Sequence, residues 1–594
     1  MSQPYDPPPR PTTRARAALV AAWAALSVSA GAFVFAYGTN SPTVDEWEFV
    51  PVVTGREPAG PWLFARHNEH RFPLPRAVYL PLVRLTADYR AASLFQVVCL
   101  SGLSWWLMGV AARLRGRPAW ADLFFPLSLL HVGHWENLLQ GYQVVFVLYA
   151  VLAAAVAVVA VRATPASRLG SGVAAGGLAG LLALCGGSGV IVAVPVGLWV
   201  GSLAAAEGSA GRRYRAAGLV AAALVPLGYA AWYLATYERP SHHPPASASP
   251  HPVRGVAMVA GETLAMALGP GCAAVWWGVA AGVLGLAGVT LARAGRELSP
   301  AATGTAAVIA GVLGIAVATG VGRAGIGDDM GLWARYALLT WPLLGVVYLD
   351  WIGRGRWVPI ALCVAAALAF PANTAVGLGA GATVRAALAD IEADARAGVP
   401  AEEVVKRFAG TMQDGQQERG VVGIPMLRDA GIGAYAGKGR FDGLGWVLAG
   451  VVVVLLAVGK GRWLGHFGRT VQVERARELF RLQHERFEAM LLAAAAATGK
   501  PRGLRWAGCV ITGDAVLARD GAAGGIVALV PVEIRFEPEP GSDMEAIPAA
   551  REPRPATAVF TFDRGHWHTA GRVVFNLDPP RAVTHFGKSL EVIG

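Results

Sequence analysis

The feature that most constrains this chain is the recurrence of membrane-length apolar segments. The first runs from about Ala18 to Gly38, and others follow as far as residue 459. A helix needs about 20 apolar residues to cross a bilayer. In such a solvent every backbone polar group must be satisfied internally, which leaves helices or closed barrels. Helix-length runs select the helical solution. The 594 residues are 54% hydrophobic and only 15% charged, against about 25% charged in soluble proteins. The mean hydropathy is +0.45.

Twelve spans are expected: Ala18–Gly38, Ala91–Ala112, Trp120–His131, Gly141–Val161, Val173–Leu184, Val190–Ala206, Ala216–Leu234, Ala273–Ala292, Ala302–Val321, Tyr336–Trp351, Val358–Leu378 and Leu444–Val458. Arg10, Arg14 and Arg16 precede the first span, which lacks a clear small-residue cleavage site and reads as a retained helix. Arg113, Arg115 and Arg117, then Arg162 and Arg168, Arg212, Arg213 and Arg215, Arg293 and Arg296, and Arg354 and Arg356 fill the loops of matching parity. The positive-inside bias assigns these loops and both termini to the cytoplasm. It also accounts for much of the +11 net charge, so the basic pI is no nucleic-acid signature. Outer loops are expected over residues 39–90, 236–256, 322–334 and 379–443. The five cysteines are widely spaced with no CxxC, which argues against a zinc or disulfide framework.

Residues 1–17 form an N-terminal tail and 18–460 the membrane domain. Residues 461–499 read as an amphipathic linker helix, with Glu474, Arg475, Glu478 and Arg481 among its charges. Residues 500–594 read as a small α+β domain. Its strand-like runs are Gly503–Ile511, Ile526–Phe536, Ala556–Phe562 and Gly571–Asn576, with turns at Arg519-Asp520-Gly521 and Asp563-Arg564-Gly565 and a helix over Pro580–Ile593. This domain shows no nucleophile–base pair, metal cluster or phosphate loop.

Candidate chemistry sits in the outer loops. Asp45 and Glu46 follow the first span, where a carboxylate could serve as a general base or bind a metal. Thr43 with Glu46 also fits a capping box, which gives the pair a structural alternative. Arg66, His67, Asn68, Glu69, His70 and Arg71 form a dense polar run ahead of Pro73 and Pro75. Arginines there could clamp a phosphate, and histidines could position a sugar or acceptor. Glu136, Asn137, Gln140 and Gln143 lie at an outer turn, where polar side chains suggest a cavity wall. Trp135 and Tyr142 suit the interface equally well. Arg323, Arg335 and Tyr336 mark a further outer turn and could meet an anionic lipid phosphate. Asp328 and Asp329, or His242, His243 and His251, could ligate a metal. A Gly-rich turn and a Pro/Ser-rich loop favour solvated roles instead, so no metal ligand is assigned, though a divalent ion stays open as a cofactor.

On these residues the membrane part, about 18–460, resembles the GT-C glycosyltransferases. That group includes protein mannosyltransferases and aminoarabinose transferases. The likeness rests on Asp45-Glu46 in the first outer loop, on Trp135-Glu136-Asn137 with Gly141-Tyr142-Gln143, and on Arg335-Tyr336 opening a late helix. It implies a multi-pass bacterial inner-membrane enzyme of the cell envelope. That enzyme would transfer a sugar from a polyprenyl-phosphate donor to an unidentified acceptor, with Asp45 as base and Arg335 at the donor phosphate. The chain departs from the better-known enzymes in having an expected cytoplasmic C-terminal domain in place of a large outer one. A lipid or sugar transporter would instead need charged or broken helices at the midplane. A sensor or scaffold would not need the acid-, His- and Arg-rich loop.

Overall fold

A computed structural model describes residues 13–240, 243–407, 416–435, 480, 484–498, 503–520, 526–563, 566–585 and 590–592. They fall in two compact units, Met1–Val452 and Val453–Gly594.

The first unit is helical. Among the described residues, eight helices are long and apolar enough to cross a membrane. They are Ala17–Tyr37, Arg90–Arg115, Gly141–Val161, Gly187–Ser209, Arg213–Ala235, Pro270–Glu297, Pro300–Arg323 and Trp357–Arg396. They mark a membrane protein. Three expected spans are shorter. Trp120–Leu123 and Phe124–Leu129 make a broken pair, Arg168–Ala183 has 16 residues, and Ala337–Trp351 has 15. The twelfth expected span, 444–458, lies outside the described residues.

Helix Ala337–Trp351 is buried along nearly its whole length and forms the centre of the unit. Tyr149 Oη donates to the Leu339 carbonyl at 3.1 Å, and Trp341 Nε1 donates to Ser128 Oγ at 2.8 Å. Small residues let the outer helices close on one another. A Cβ on Gly176 would stand 2.4 Å from the Ala222 carbonyl oxygen, and one on Gly311 would stand 2.9 Å from Val192 Cα.

One end of this bundle gathers ion pairs from the basic loops. Arg115 pairs with Asp122 at 2.9 Å, and Arg168, Arg212 and Arg215 surround the buried Glu207. Arg354 pairs with Glu297 at 2.7 Å, and Arg293 with Asp350. The opposite end gathers the polar loops after the first span, around residue 140 and after residue 323.

Residues 379–396, expected in an outer loop, continue helix Trp357–Arg396 without a break. Helices Ala401–Arg407 and Gln416–Ala430 follow. The polarity of this stretch does not remove it from helix. It is rich in alanine, and Glu392 pairs with Arg396 four residues on at 3.0 Å. Glu392 also accepts the Asn40 N–H at 2.5 Å, which ties this helix to the segment carrying Asp45.

The second unit is an antiparallel sheet of β1 (Leu504–Ile511), β2 (Val516–Asp520), β3 (Ile526–Pro538), β4 (Arg554–Asp563), β5 (His566–His568), β6 (Val573–Phe575) and β7 (Leu590–Val592). The long β3–β4 ladder is its spine. β1 and β2 share one side of β3, β5 and β6 share the far side of β4, and β7 pairs with β2. The four expected strands coincide with β1, β3, β4 and β6. Arg519 and Asp520, expected in a turn, belong to β2 and pair with β7. Of the expected C-terminal helix, Pro579–His585 is helical and Leu590–Val592 is strand. Of the expected linker helix, residues 484–498 are helical. Phe487 and Leu491 of helix His484–Thr498 pack into the sheet core with Val530, Ile534 and Phe560. The segment 461–479 lies outside the described residues.

Candidate functional site

After the first long helix the chain makes a 3-10 turn, Val44–Phe49. At three residues per turn, positions 45 and 48 fall on one side and 46 and 49 on another. The adjacent acids are thereby separated. Glu46 turns inward and is 1% exposed. Its Oε2 accepts the Thr43 N–H at 2.9 Å and the Thr43 hydroxyl at 2.7 Å, and its Oε1 accepts the Tyr79 hydroxyl at 2.9 Å. This is the capping arrangement that Thr43-x-x-Glu46 suggests. Burial pushes the Glu46 carboxyl up to about 7 against these hydrogen bonds.

Asp45 and Glu48 face a common partner. His67 Nδ1 lies 2.9 Å from Glu48 Oε2, and His67 Nε2 lies 3.6 Å from Asp45 Oδ2. A tight turn presents this imidazole. His67 and His70 exchange backbone hydrogen bonds of 2.8 and 2.9 Å around Asn68, whose φ of 52° is left-handed, a conformation asparagine tolerates. The rings of Phe49, Phe72 and Tyr142 enclose His67. Burial alone would lower its pKa, but the two carboxylates raise it to about 9. His67 is therefore an imidazolium at neutral pH. Burial works to raise Asp45 and is outweighed by His67 and the charge of Arg335, so the carboxyl lies below its ordinary range. Glu48 is lowered in the same way, burial again being outweighed, by His67, Arg419 and Arg76. The Arg419 guanidinium is 3.4 Å from Glu48.

A second cluster adjoins the first. Glu69 holds His243 at 2.9 Å, His70 at 3.4 Å and Arg323 at 3.7 Å. Arg323 also lies 3.2 Å from His243 Nε2, and His70 Nδ1 lies 3.0 Å from the Tyr233 hydroxyl.

Arg335 stands between these clusters and the 131–143 turn. The buried Glu136 accepts the Arg335 N–H at 2.7 Å, and Asn137 donates to the Arg335 carbonyl at 3.2 Å. These two side chains hold the backbone that carries Arg335. Its guanidinium lies 3.8 Å over the Trp333 ring and 5.8 Å from the Tyr336 ring. Among the described residues no carboxylate comes within ion-pair distance of it. Gln143 donates to Gln140 Oε1 at 3.0 Å, and Gln96 donates to the Gln140 and Gly141 carbonyls at 3.0 and 2.7 Å. Gln140 and Gln143 thus brace a turn.

Arg66 and Arg71 are occupied elsewhere. Arg66 pairs with Glu238 and the Thr236 carbonyl, and Arg71 donates to the Phe64 carbonyl and lies over Trp232. Arg76, buried within a cage of Phe49, Trp62 and Phe72, donates to the Trp62 and Ala65 carbonyls and supports the loop. Asp328 and Asp329 lie near the buried Glu262, which accepts the Gly331 N–H at 3.1 Å. Among the described residues no group of three or more His, Cys, Asp or Glu side chains is disposed to hold a metal ion.

Glu48, Arg419 and the pairing of His243 with Glu69 were not expected. The Asp45-x-x-Glu48 spacing was the available signal for Glu48, because residues three apart share a helical face. Compared with family models, with curated proteins and with solved structures, the chain matches none.

Proposed function

We propose that this protein is a membrane glycosyltransferase that takes its sugar from a polyprenyl-phosphate donor, with Asp45 as the general base. The observation that carries the proposal is the joining of a half-buried carboxylate, Asp45, to a cationic His67 within electrostatic reach of Arg335, which among the described residues pairs with no carboxylate. The resemblance of the membrane part to GT-C enzymes supplies the substrate class.

The donor phosphate would sit on Arg335, whose guanidinium has no carboxylate to displace among the described residues. The neighbouring Arg323 adds positive charge. Arg66 and Arg71 are less suited, being spent on Glu238 and on the Phe64 carbonyl. The anomeric carbon would then lie between Arg335 and Asp45. The acceptor oxygen attacks that carbon and its proton passes to Asp45, while the bond from sugar to phosphate breaks and the lipid phosphate leaves with the bonding electrons. Inversion follows from a single displacement. His67 is already protonated at neutral pH and cannot be the base. Its charge holds Asp45 ionised. A weakly basic carboxylate removes the proton late, as the new bond forms. The leaving phosphate is stabilised by Arg335 and needs no strong general acid.

The test is to purify the protein in lipid nanodiscs and identify co-purifying lipid by mass spectrometry. A polyprenyl-phosphate sugar lost in Arg335→Ala supports the proposal. Absence of any such lipid, together with no sugar transfer from supplied donors, would end it.

A further inference from the structure

A cleft opens beside Glu48, between the Val44–Phe49 turn and helix Gln416–Ala430. Its volume is about 300 Å³. Trp47, Pro51, Val422 and Met426 make an apolar wall, and Glu48 and Arg419 stand on it as a charged pair. The helix comes close because Gly423 has no side chain, and a Cβ there would meet Trp47 Cε3 at 3.2 Å.

We propose that this cleft binds a sugar ring of the acceptor. The proposal rests on the transferase reading and identifies the acceptor's class. An apolar wall that includes an aromatic edge suits the C–H face of a pyranose, and an adjoining carboxylate and guanidinium suit its hydroxyls. The volume matches one or two rings. It is too small for a folded partner, and its charged rim is wrong for an acyl chain. The connection to chemistry is direct. Glu48 lines the cleft and contacts His67 at 2.9 Å, and His67 contacts Asp45 at 3.6 Å. A ring held on Glu48 and Arg419 is thus one imidazole away from the base. Arg419 comes from helix Gln416–Ala430, so this helix and the Val44–Phe49 turn together would form the acceptor site.

The experiment uses the full-length protein in nanodiscs with three probes: methyl α-mannoside, methyl β-glucoside and N-acetylglucosamine. Saturation-transfer NMR reads binding without donor lipid and without turnover. At least one probe should bind the wild-type protein. Val422→Trp, which fills the cleft from an exposed position, should weaken that probe at least tenfold, and Arg419→Ala should weaken it severalfold. Retained binding of a donor lipid to both variants would show that they fold. Failure of all three probes to bind, or equal binding to wild type and Val422→Trp, would overturn the assignment. Cleft-dependent sugar binding in a protein that transfers no sugar would overturn the transferase reading alone. Transfer to a glycan acceptor that ignores both substitutions would overturn the cleft alone.

Discussion

His67 Nε2 stands 3.6 Å from Asp45 Oδ2, while the other nitrogen of the same ring stands 2.9 Å from Glu48 Oε2. One buried imidazole thus joins two carboxylates that leave the same turn. Its charge state is set by both, and this makes it the most direct physical probe of the site.

His67 should titrate near 9. Folded His67 keeps a proton that the unfolded chain releases above about 6.5. Its contribution to stability is therefore whole below 6.5 and is lost as pH rises through about 9. The shift corresponds to roughly 3 kcal/mol at most. Thermal unfolding of wild type and His67→Ala between pH 6 and 10 should show the difference between them shrinking across that window. A constant difference would mean that the ring is neutral.

Glu46 should behave in the opposite way from Asp45. Its carboxyl stays protonated up to about 7 in the fold, against 4.5 as the ordinary value. The folded state holds the extra proton between those values, so stability falls as pH rises through them. Glu46→Gln cannot ionise and should lose this slope while keeping the Thr43 and Tyr79 contacts. Glu46→Ala leaves those donors unpaired and should cost roughly 1–3 kcal/mol. Melting curves at pH 5 and pH 8 separate the three proteins.

The membrane character, the polar end of the bundle and the strands of the second unit were legible in the sequence, because periodicity and length report them directly. The division of labour between Asp45 and Glu46 was less so. The capping box marks Glu46, but only the 3-10 turn shows that Asp45 is directed at His67 and Glu46 at Tyr79. Glu48 takes its role from His67, 19 residues on, a pairing that sequence order does not reveal. Arg66 and Arg71 looked free because their partners, Glu238 and the Phe64 carbonyl, come from pairings that sequence order does not reveal. Residues 379–396 looked like loop because polarity was equated with irregular structure, whereas the alanine content supports helix.

The second unit should need more than its strands. Phe487 and Leu491 bury themselves in the sheet core, and Glu488 Oε1 accepts the Ile511 N–H at 2.7 Å. A fragment beginning at Lys500 would expose that apolar face and should aggregate or unfold without cooperativity. One beginning near Val453 should show a cooperative, β-rich transition by circular dichroism. Equal folding of both fragments would show that helix His484–Thr498 adds nothing.

Arg335→Ala should weaken donor-lipid binding by about 10- to 100-fold, the loss of a charge-assisted contact. Arg66→Ala should change it little, since that side chain already serves Glu238. Native mass spectrometry of nanodiscs with a polyprenyl-phosphate sugar measures both. The reverse order of effects would move the phosphate to the rim of the site.

The most direct test of the central claim compares sugar transfer and donor binding in Asp45→Asn. That substitution keeps the side chain's size and removes its basic oxygen. The account predicts roughly a 10²–10⁴-fold loss of transfer with donor binding near wild type. Full transfer activity in a folded Asp45→Asn protein would contradict it and leave the carboxylate as no more than a partner for His67.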